Sequence, residues 1–378
     1  MSRFAVMLQA YIVDGLRLPT GKAQGYYKNV LPEQLMAEVL RDFRRRYSNL
    51  AFDELIVGNA LGTGGNMARY ALLEAGFSPE IPSTTLDLQC GAGLRALVAA
   101  EAQLKSGMAQ SILAGGMESN SLAPRRQYQP RDPRYIDAET FYTQATFAPA
   151  SYGEASLRQA AQTVAETYGL SKEELMRWTV RSHQKAEQAI EILREIRVPY
   201  GAITEDQPLR KAFSYDSLVR TQSPLLIDHT NTAHLHDGAA GIFLVNDTLR
   251  AEYEPRFRLV ASAMAGGLPT LAPAGVIWAT EKLLRQTGLS IQDIDLFEIN
   301  ESFAVKPLAF LRHWGISEEK VNIFGGNLAY GHPFGASGVI NTIHLMRALA
   351  HTQQRFGLVT VGVAGGLGIA LLIEHLNS

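Results

Sequence analysis

The stretch "TTLDLQCGAGLRALVAAEAQL" (Thr84–Leu104) holds the single cysteine of a 378-residue chain. It reads as three consecutive pieces: an apolar alternating run, a turn with glycine on both sides, and a helical run. A strand passing through a tight turn into a helix is the repeating unit of α/β folds. Cys90 stands at or just before the helix start. Backbone N–H groups and the helix dipole there favour a thiolate and lower its pKa. Gly91 and Gly93 leave the backbone open to an approaching ligand. Taken alone, Cys90 reads equally as a small buried hydrophobe.

Outward from this stretch the same rhythm continues. Strand-like "FDELIVGNAL" (52–61) alternates with helical "LPEQLMAEVLRDFRRRY" (31–47). Apolar strands separated by helices argue for a mostly parallel sheet. The N-terminal "MSRFAVMLQAYIVDG" lacks a signal-peptide pattern and reads as a strand. The middle, from about Ser119 to Gln222, is richer in Arg, Tyr and Pro, as in "LAPRRQYQPRDPRYIDAETFY" (122–142). Within it "SKEELMRWTVRSHQKAEQAIEI" (171–192) is a strongly amphipathic helix, so the region reads as an insertion of loops with its own helices. After Asp237 the α/β rhythm returns. The longest apolar run, Leu358–Ile373, has 16 residues and four glycines. It falls short of the ~18 residues of a membrane span and reads as two buried strands joined by a Gly-rich turn.

The two α/β parts echo each other. "SILAGGMES" (111–119) is similar to "TVGVAGGLGI" (360–369), and each follows a helix that follows a glycine-rich turn, "QCGAGLRAL" in the first half and "GHPFGASGVINTI" in the second. Gly93 and Gly338 precede comparable helices. A duplicated domain whose strand-to-helix turns face each other would place its site between those turns, where open α/β sheets bind ligands.

Composition bounds the function. A chain of this length suits about two domains at roughly 150 residues each. A hydrophobic share of 46% supports a large core. The net charge of −2 gives no electrostatic reason to expect nucleic acid or an anionic membrane as partner. Arg44–Arg46 suit a solvated helix face. One cysteine forms no internal disulfide, which fits a reducing compartment, and the terminal "HLNS" is no peroxisomal address. A soluble, cytoplasmic protein is expected.

Two further segments carry chemistry. In "GGNLAYGHPFGASG" (325–338), His332 lies between Gly331 and Pro333. A rigid histidine with open backbone around it suits activation of a thiol. "EINESFAV" (298–305) sets Asn300 and Glu301 at the end of an apolar strand. An Asn there can hold a water or polarise a carbonyl, or be an ordinary cap.

Together these segments resemble the thiolase family of acetyl-CoA acyltransferases over nearly the whole chain. "RLPTGK" (17–22), "CGAGLRA" (90–96), "LAGGMESNS" (113–121), "SHQKAEQA" (182–189), "HDGAAGIFLV" (236–245), "NESFAV" (300–305) and "GHPFGASG" (331–338) resemble successive family blocks. The resemblance implies an α/β thiolase fold with two duplicated halves. Each would hold a mixed five-stranded sheet, layered α-β-α-β-α, with an inserted loop domain. The expected divisions are an N-terminal half over 1–118, the loop domain over 119–222, a return strand over 223–250 and a C-terminal half over 251–378. It further implies ping-pong acyl transfer with Cys90 as nucleophile and His332 as proton acceptor. His332 with a water on Asn300 would form one oxyanion hole; the N–H groups of Cys90 and Ala364 would form the other. Gly331, Ser337 and Asn231 would contact substrate. The substrate would be acetyl-CoA or another acyl-CoA, its tail crossing the loop domain. No separate cofactor and no metal are implied, and the assembly would be a homodimer or homotetramer.

The chain departs from the family pattern in the last glycine-rich turn. The resemblance implies a second cysteine there, moving the proton at the substrate α-carbon, at a position occupied by Gly362. Glu301, His332 or a water would have to stand in. The family's "NAS" block appears as Asn231-Thr232-Ala233, and Trp278 replaces a proline in "GVIWA" (275–279), which would reshape the pocket. Two other readings stay open: a non-turnover acyl-CoA binding or regulatory relative, and a cysteine-dependent thioester hydrolase using Cys90 and His332.

Overall fold

The computed structural model describes residues 7–47, 50–142, 146–153 and 156–376. The first six residues of the expected N-terminal strand lie outside these, and the strand itself begins at Ala10. In chain order the elements are β1 (Ala10–Arg17), β2 (Gly21–Lys22), α1 (Pro32–Arg46), β3 (Glu54–Gly58), α2 (Met67–Glu74), β4 (Ser83–Leu86), α3 (Ala92–Ser106) and β5 (Ser111–Glu118). The middle carries α4 (Leu157–Thr167), α5 (Lys172–Gln188) and α6 (Tyr215–Val219), followed by β6 (His236–Asn246). The chain then continues through α7 (Arg250–Tyr253), β7 (Phe257–Gly266), α8 (Gly275–Thr287), β8 (Leu296–Ile299), α9 (Val305–Trp314), α10 (Asn327–Tyr330), α11 (Phe334–Thr352), β9 (Phe356–Val363) and β10 (Leu367–His375).

Local signals explain the boundaries. Pro32 opens α1, where its missing N–H costs nothing. Ser171 caps α5 reciprocally with Glu174. Arg44–Arg46 lie exposed at the end of α1, as their run of charge suggests. β9 and β10 pair as a hairpin, and its turn needs Gly365 and Gly366, whose φ angles are 84° and 81°.

The strands run β4-β3-β5-β6-β1-β7-β10-β9-β8, with β2 on β6. Reading outward from the centre, each half repeats one pattern: two antiparallel pairings and then a parallel one, β5 with β3 and β9 with β8. The N-terminal half contributes the five expected strands and the C-terminal half four, among the described residues. The halves join edge to edge where Ala10–Ile12 pair with Phe257–Leu259.

Side-chain alternation along the strands builds the layers. Ile112 and Ala114 of β5 and Val359, Val361 and Val363 of β9 face inward onto α3 and α11, sharing one core with Leu94, Leu97, Val339 and Ile343. Leu113 turns outward to α1 and α2, and Leu358 turns outward to α8 and α9. Helices α3 and α11 thus form a central layer between the two half-sheets. Gly93 and Gly338 sit inside the first turns of these helices rather than ahead of them. A Cβ on Gly93 would overlap the carbonyl oxygen of Gly335, and one on Gly338 would lie 2.8 Å from the Leu94 Cβ.

"RLPTGK" secures the insertion to this frame. Arg17, fully buried on β1, makes a bidentate pair with Asp206 at 2.6 and 2.9 Å, and its Nε lies 3.1 Å from His344 Nε2 on α11. Thr20 donates its N–H to the same carboxylate at 2.8 Å.

Candidate active site

The two glycine-rich turns open into one cavity of about 530 Å³. Its lining includes Cys90, His332, Lys306, Gly362 and Ala364, with Phe141 and Phe147 from the insertion. Cys90 lies in a short turn of 3-10 helix directly before α3. Gln89, beside it, holds a left-handed φ of 50°, a conformation that costs a non-glycine residue about 1–3 kcal/mol. Cys90 is half-buried and lines the cavity. Desolvation pushes its thiol up to about 11; the Lys306 charge pulls it down and Glu118 adds to the rise. This reverses the lowered pKa expected from a helix start, because burial of the thiolate outweighs the favourable charge.

His332 follows Gly331, whose φ of 90° and contact with the His236 ring leave no room for a side chain. Ser337 Oγ donates to Pro333 O at 2.8 Å, so the 2.6 Å contact between Ser337 Oγ and His332 Nδ1 has the imidazole N–H as donor. That places the hydrogen on Nδ1 and leaves Nε2 as a lone pair. Nε2 is buried and has no hydrogen-bond partner among the described residues. Burial, followed by Lys306 and His236, holds the ring well below its ordinary pKa, so it is a neutral base. Ser337 orients the histidine.

Asn300 lies behind the cavity wall. Its Nδ2 donates to Asn327 Oδ1 at 2.9 Å and lies 3.5 Å from His332 Nδ1, while its Oδ1 accepts from Lys306 at 2.9 Å. Asn231 is spent on its own loop: Nδ2 donates to Leu226 O and Oδ1 accepts from Asp228 N–H. Its neighbours Thr232 and Ala233 line the cavity in its place. Trp278 packs its ring against Gly267, away from the lining residues, so the replaced proline does not shape the pocket directly. Glu301 is also directed elsewhere. Trp178, Ser182, Asn322 and the Leu328 N–H all donate to its buried carboxylate, which fastens α5 to the end of β8.

Two buried ionisable groups escaped the sequence reading. Glu118 takes the N–H groups of Ala60, Leu61 and Gly335 and the amide of Asn59, bracing the first-half turns against the start of α11. Desolvation raises its pKa to about 7. Lys306 lies in the first turn of α9, buried, with Nζ donating to Asn300 Oδ1 at 2.9 Å and Gly362 O at 2.7 Å. The visible signal was a lone charge opening an otherwise apolar helix, "VKPLAF".

Family models for the thiolase N-terminal and C-terminal domains match residues 10–248 and 253–375. The chain belongs to the thiolase family. It is 33% identical to a Bacillus subtilis protein named "Putative acetyl-CoA C-acetyltransferase YhfS", across 98% of this chain and all of that one. It is equally similar to the Staphylococcus aureus "Putative acetyl-CoA C-acetyltransferase VraB", over the same share of each. A crystal structure of the Bacillus anthracis acetyl-CoA acetyltransferase superposes with a TM-score of 0.89 at 28% identity, covering 98% of this chain and 99% of that one. In this thiolase the glycine-rich blocks are the walls of the cavity. No helix among the described residues is long and apolar enough to cross a membrane.

Proposed function

We propose that this thiolase is an acyl-CoA acyltransferase carrying its acyl group on Cys90, in 3-ketoacyl-CoA thiolysis or acetyl-CoA condensation. The observation that supports the reading is one cavity lined by a protonated thiol and a histidine whose lone pair on Nε2 has no partner among the described residues. As the thiol attacks the thioester carbonyl, His332 Nε2 takes its proton, and Ser337 receives the Nδ1 hydrogen throughout. The carbonyl oxygen gains negative charge beside the backbone N–H groups of Cys90 and Ala364. A donor so placed is worth about 2.7–4 kcal/mol of barrier. CoA leaves with the proton from His332, and the acyl group stays on sulfur. The apolar wall from the insertion, Phe141 and Phe147, suits a pantetheine arm. The protein would work in the cytoplasm as a homodimer or homotetramer.

Incubation with acetyl-CoA or acetoacetyl-CoA should add an acyl mass to the peptide containing Cys90, and Cys90→Ala should remove it. Acylation surviving that substitution overturns the reading. Release of free acid faster than transfer to CoA would favour the hydrolase instead.

A further inference from the structure

A thiolase-type reaction has a second half, in which a carbon–carbon bond is made or broken next to the thioester. That half needs a proton carrier at the α-carbon, and Gly362 has no side chain to offer. Resting on the acyltransferase reading, we propose that Lys306 is that carrier, reaching the substrate α-carbon from the first turn of α9.

The geometry supports this. Lys306 and Gly362 line the same cavity as Cys90. A Cβ built on Gly362 would lie 3.4 Å from Lys306 Cε, so the end of the lysine occupies the room beside the bare position. Its Nζ donates to the Gly362 carbonyl at 2.7 Å and to Asn300 Oδ1 at 2.9 Å, leaving a third position on nitrogen. A buried ammonium ordinarily pairs with a carboxylate. Among the described residues no carboxylate stands within ion-pair distance of Lys306. Glu301, five residues earlier in the chain, is taken up by Trp178, Ser182 and Asn322.

The electrostatics agree. Desolvation lowers the Lys306 pKa to about 8, with Cys90 acting in the opposite direction. The other titratable group beside it, His332, is neutral. An amine balanced near neutrality both accepts and returns a proton. Because the thiol sits near 11, the resting proton stays on sulfur and the amine is available as a base.

In condensation, the free amine takes a proton from the methyl carbon of the second acetyl-CoA and becomes an ammonium. The resulting enolate forms a carbon–carbon bond to the acetyl carbon on Cys90, and the carbon–sulfur bond breaks to release the Cys90 thiolate. The ammonium returns its proton to that thiolate, leaving acetoacetyl-CoA and a neutral thiol and amine. Thiolysis runs the same steps backward, the ammonium protonating the enolate as the carbon–carbon bond breaks.

The test follows methyl-proton exchange of acetyl-CoA in D2O, with Cys90 acylation measured by mass in the same samples. Lys306→Met should lose ~10²–10⁴-fold in exchange, keep acylation within a few-fold, and lose the limb near pH 8 of the wild-type exchange profile. Gly362→Cys in a Lys306→Ala background should restore the exchange that Lys306→Ala alone loses, because the thiol enters the space the shortened side chain leaves; a lysine that only props the fold would not be rescued this way. Wild-type exchange in Lys306→Met, or equal loss of exchange and acylation, overturns the proposal. A wild-type protein that acylates without exchanging overturns it while the acyltransferase reading stands. Absence of acylation overturns both.

Discussion

The ionisation of Cys90 makes a sharp test of which force governs this site. A thiol near 11 is about 0.1% ionised at pH 8, whereas an ordinary cysteine near 8.5 is about one quarter ionised. That is a deficit of roughly 250-fold in thiolate. A more basic thiolate is intrinsically more nucleophilic, with a Brønsted slope of ~0.4–0.5, which returns about 10–20-fold over ~2.5 pH units. Cys90 should therefore react with iodoacetamide about 10–30-fold more slowly than free cysteine at pH 8. Its rate should climb about tenfold per pH unit from pH 6 to pH 10. The assay is the pseudo-first-order gain of carbamidomethyl mass on the Cys90 peptide. Lys306→Met removes a neighbouring charge that favours the thiolate, so it should slow alkylation further below about pH 8, where that amine is protonated, and have little effect near pH 10. A rate that levels off below pH 8 would refute the argument, because it would mean that the helix start or a charged His332 holds a thiolate in the free enzyme.

Ser337→Ala deprives the His332 N–H of its acceptor, at a cost of about 1–3 kcal/mol. Single-turnover acylation of Cys90 should fall roughly 5- to 150-fold, with Ser337→Thr recovering most of it. Breaking the buried Arg17–Asp206 pair with Arg17→Ala should cost about 3–5 kcal/mol in denaturant unfolding. The Asp206 pKa is lowered in the fold, where Arg17 and the Thr20 N–H offset its desolvation, so its contribution is complete above the unfolded carboxylate value. It is lost as pH falls through the depressed folded value. Asp206→Asn should therefore give a flatter acid limb in thermal melts between pH 5 and pH 2.

Much of this molecule is written in local sequence. The hairpin of Leu358–Ile373, the capped helix from Ser171 and the two glycine-rich turns that carry Cys90 and His332 are each set by residues close in the chain. The Cys90–His332 pairing was legible because glycine-rich turns that end strands in duplicated halves must face one another. What escaped depends on distant residues meeting. Lys306 matters because Gly362, 56 residues later, leaves space beside it. The sign of the Cys90 shift depends on how much water the closed cavity admits, which no window around residue 90 contains. The hydrogen bonds that hold Ser337 and Asn231 were hidden for a similar reason. A hydroxyl or amide in a turn reads as open to a ligand until its nearest acceptor is known.

The approach of the two halves has a consequence for how this thiolase tolerates change. A methyl on Gly116 or Gly93 would overlap the Gly335 carbonyl, and one on Gly335 would press on Met117 O at 2.6 Å. Main chain therefore rests on main chain between the strand after Cys90 and the helix after His332. The spacing of Cys90 and His332 is set by a ruler made of peptide groups, whose dimensions are the same in every protein. Leucines and valines farther out can drift over generations without recalibrating it. Pocket walls from the insertion can likewise be exchanged for new acyl groups while the chemistry stays in register.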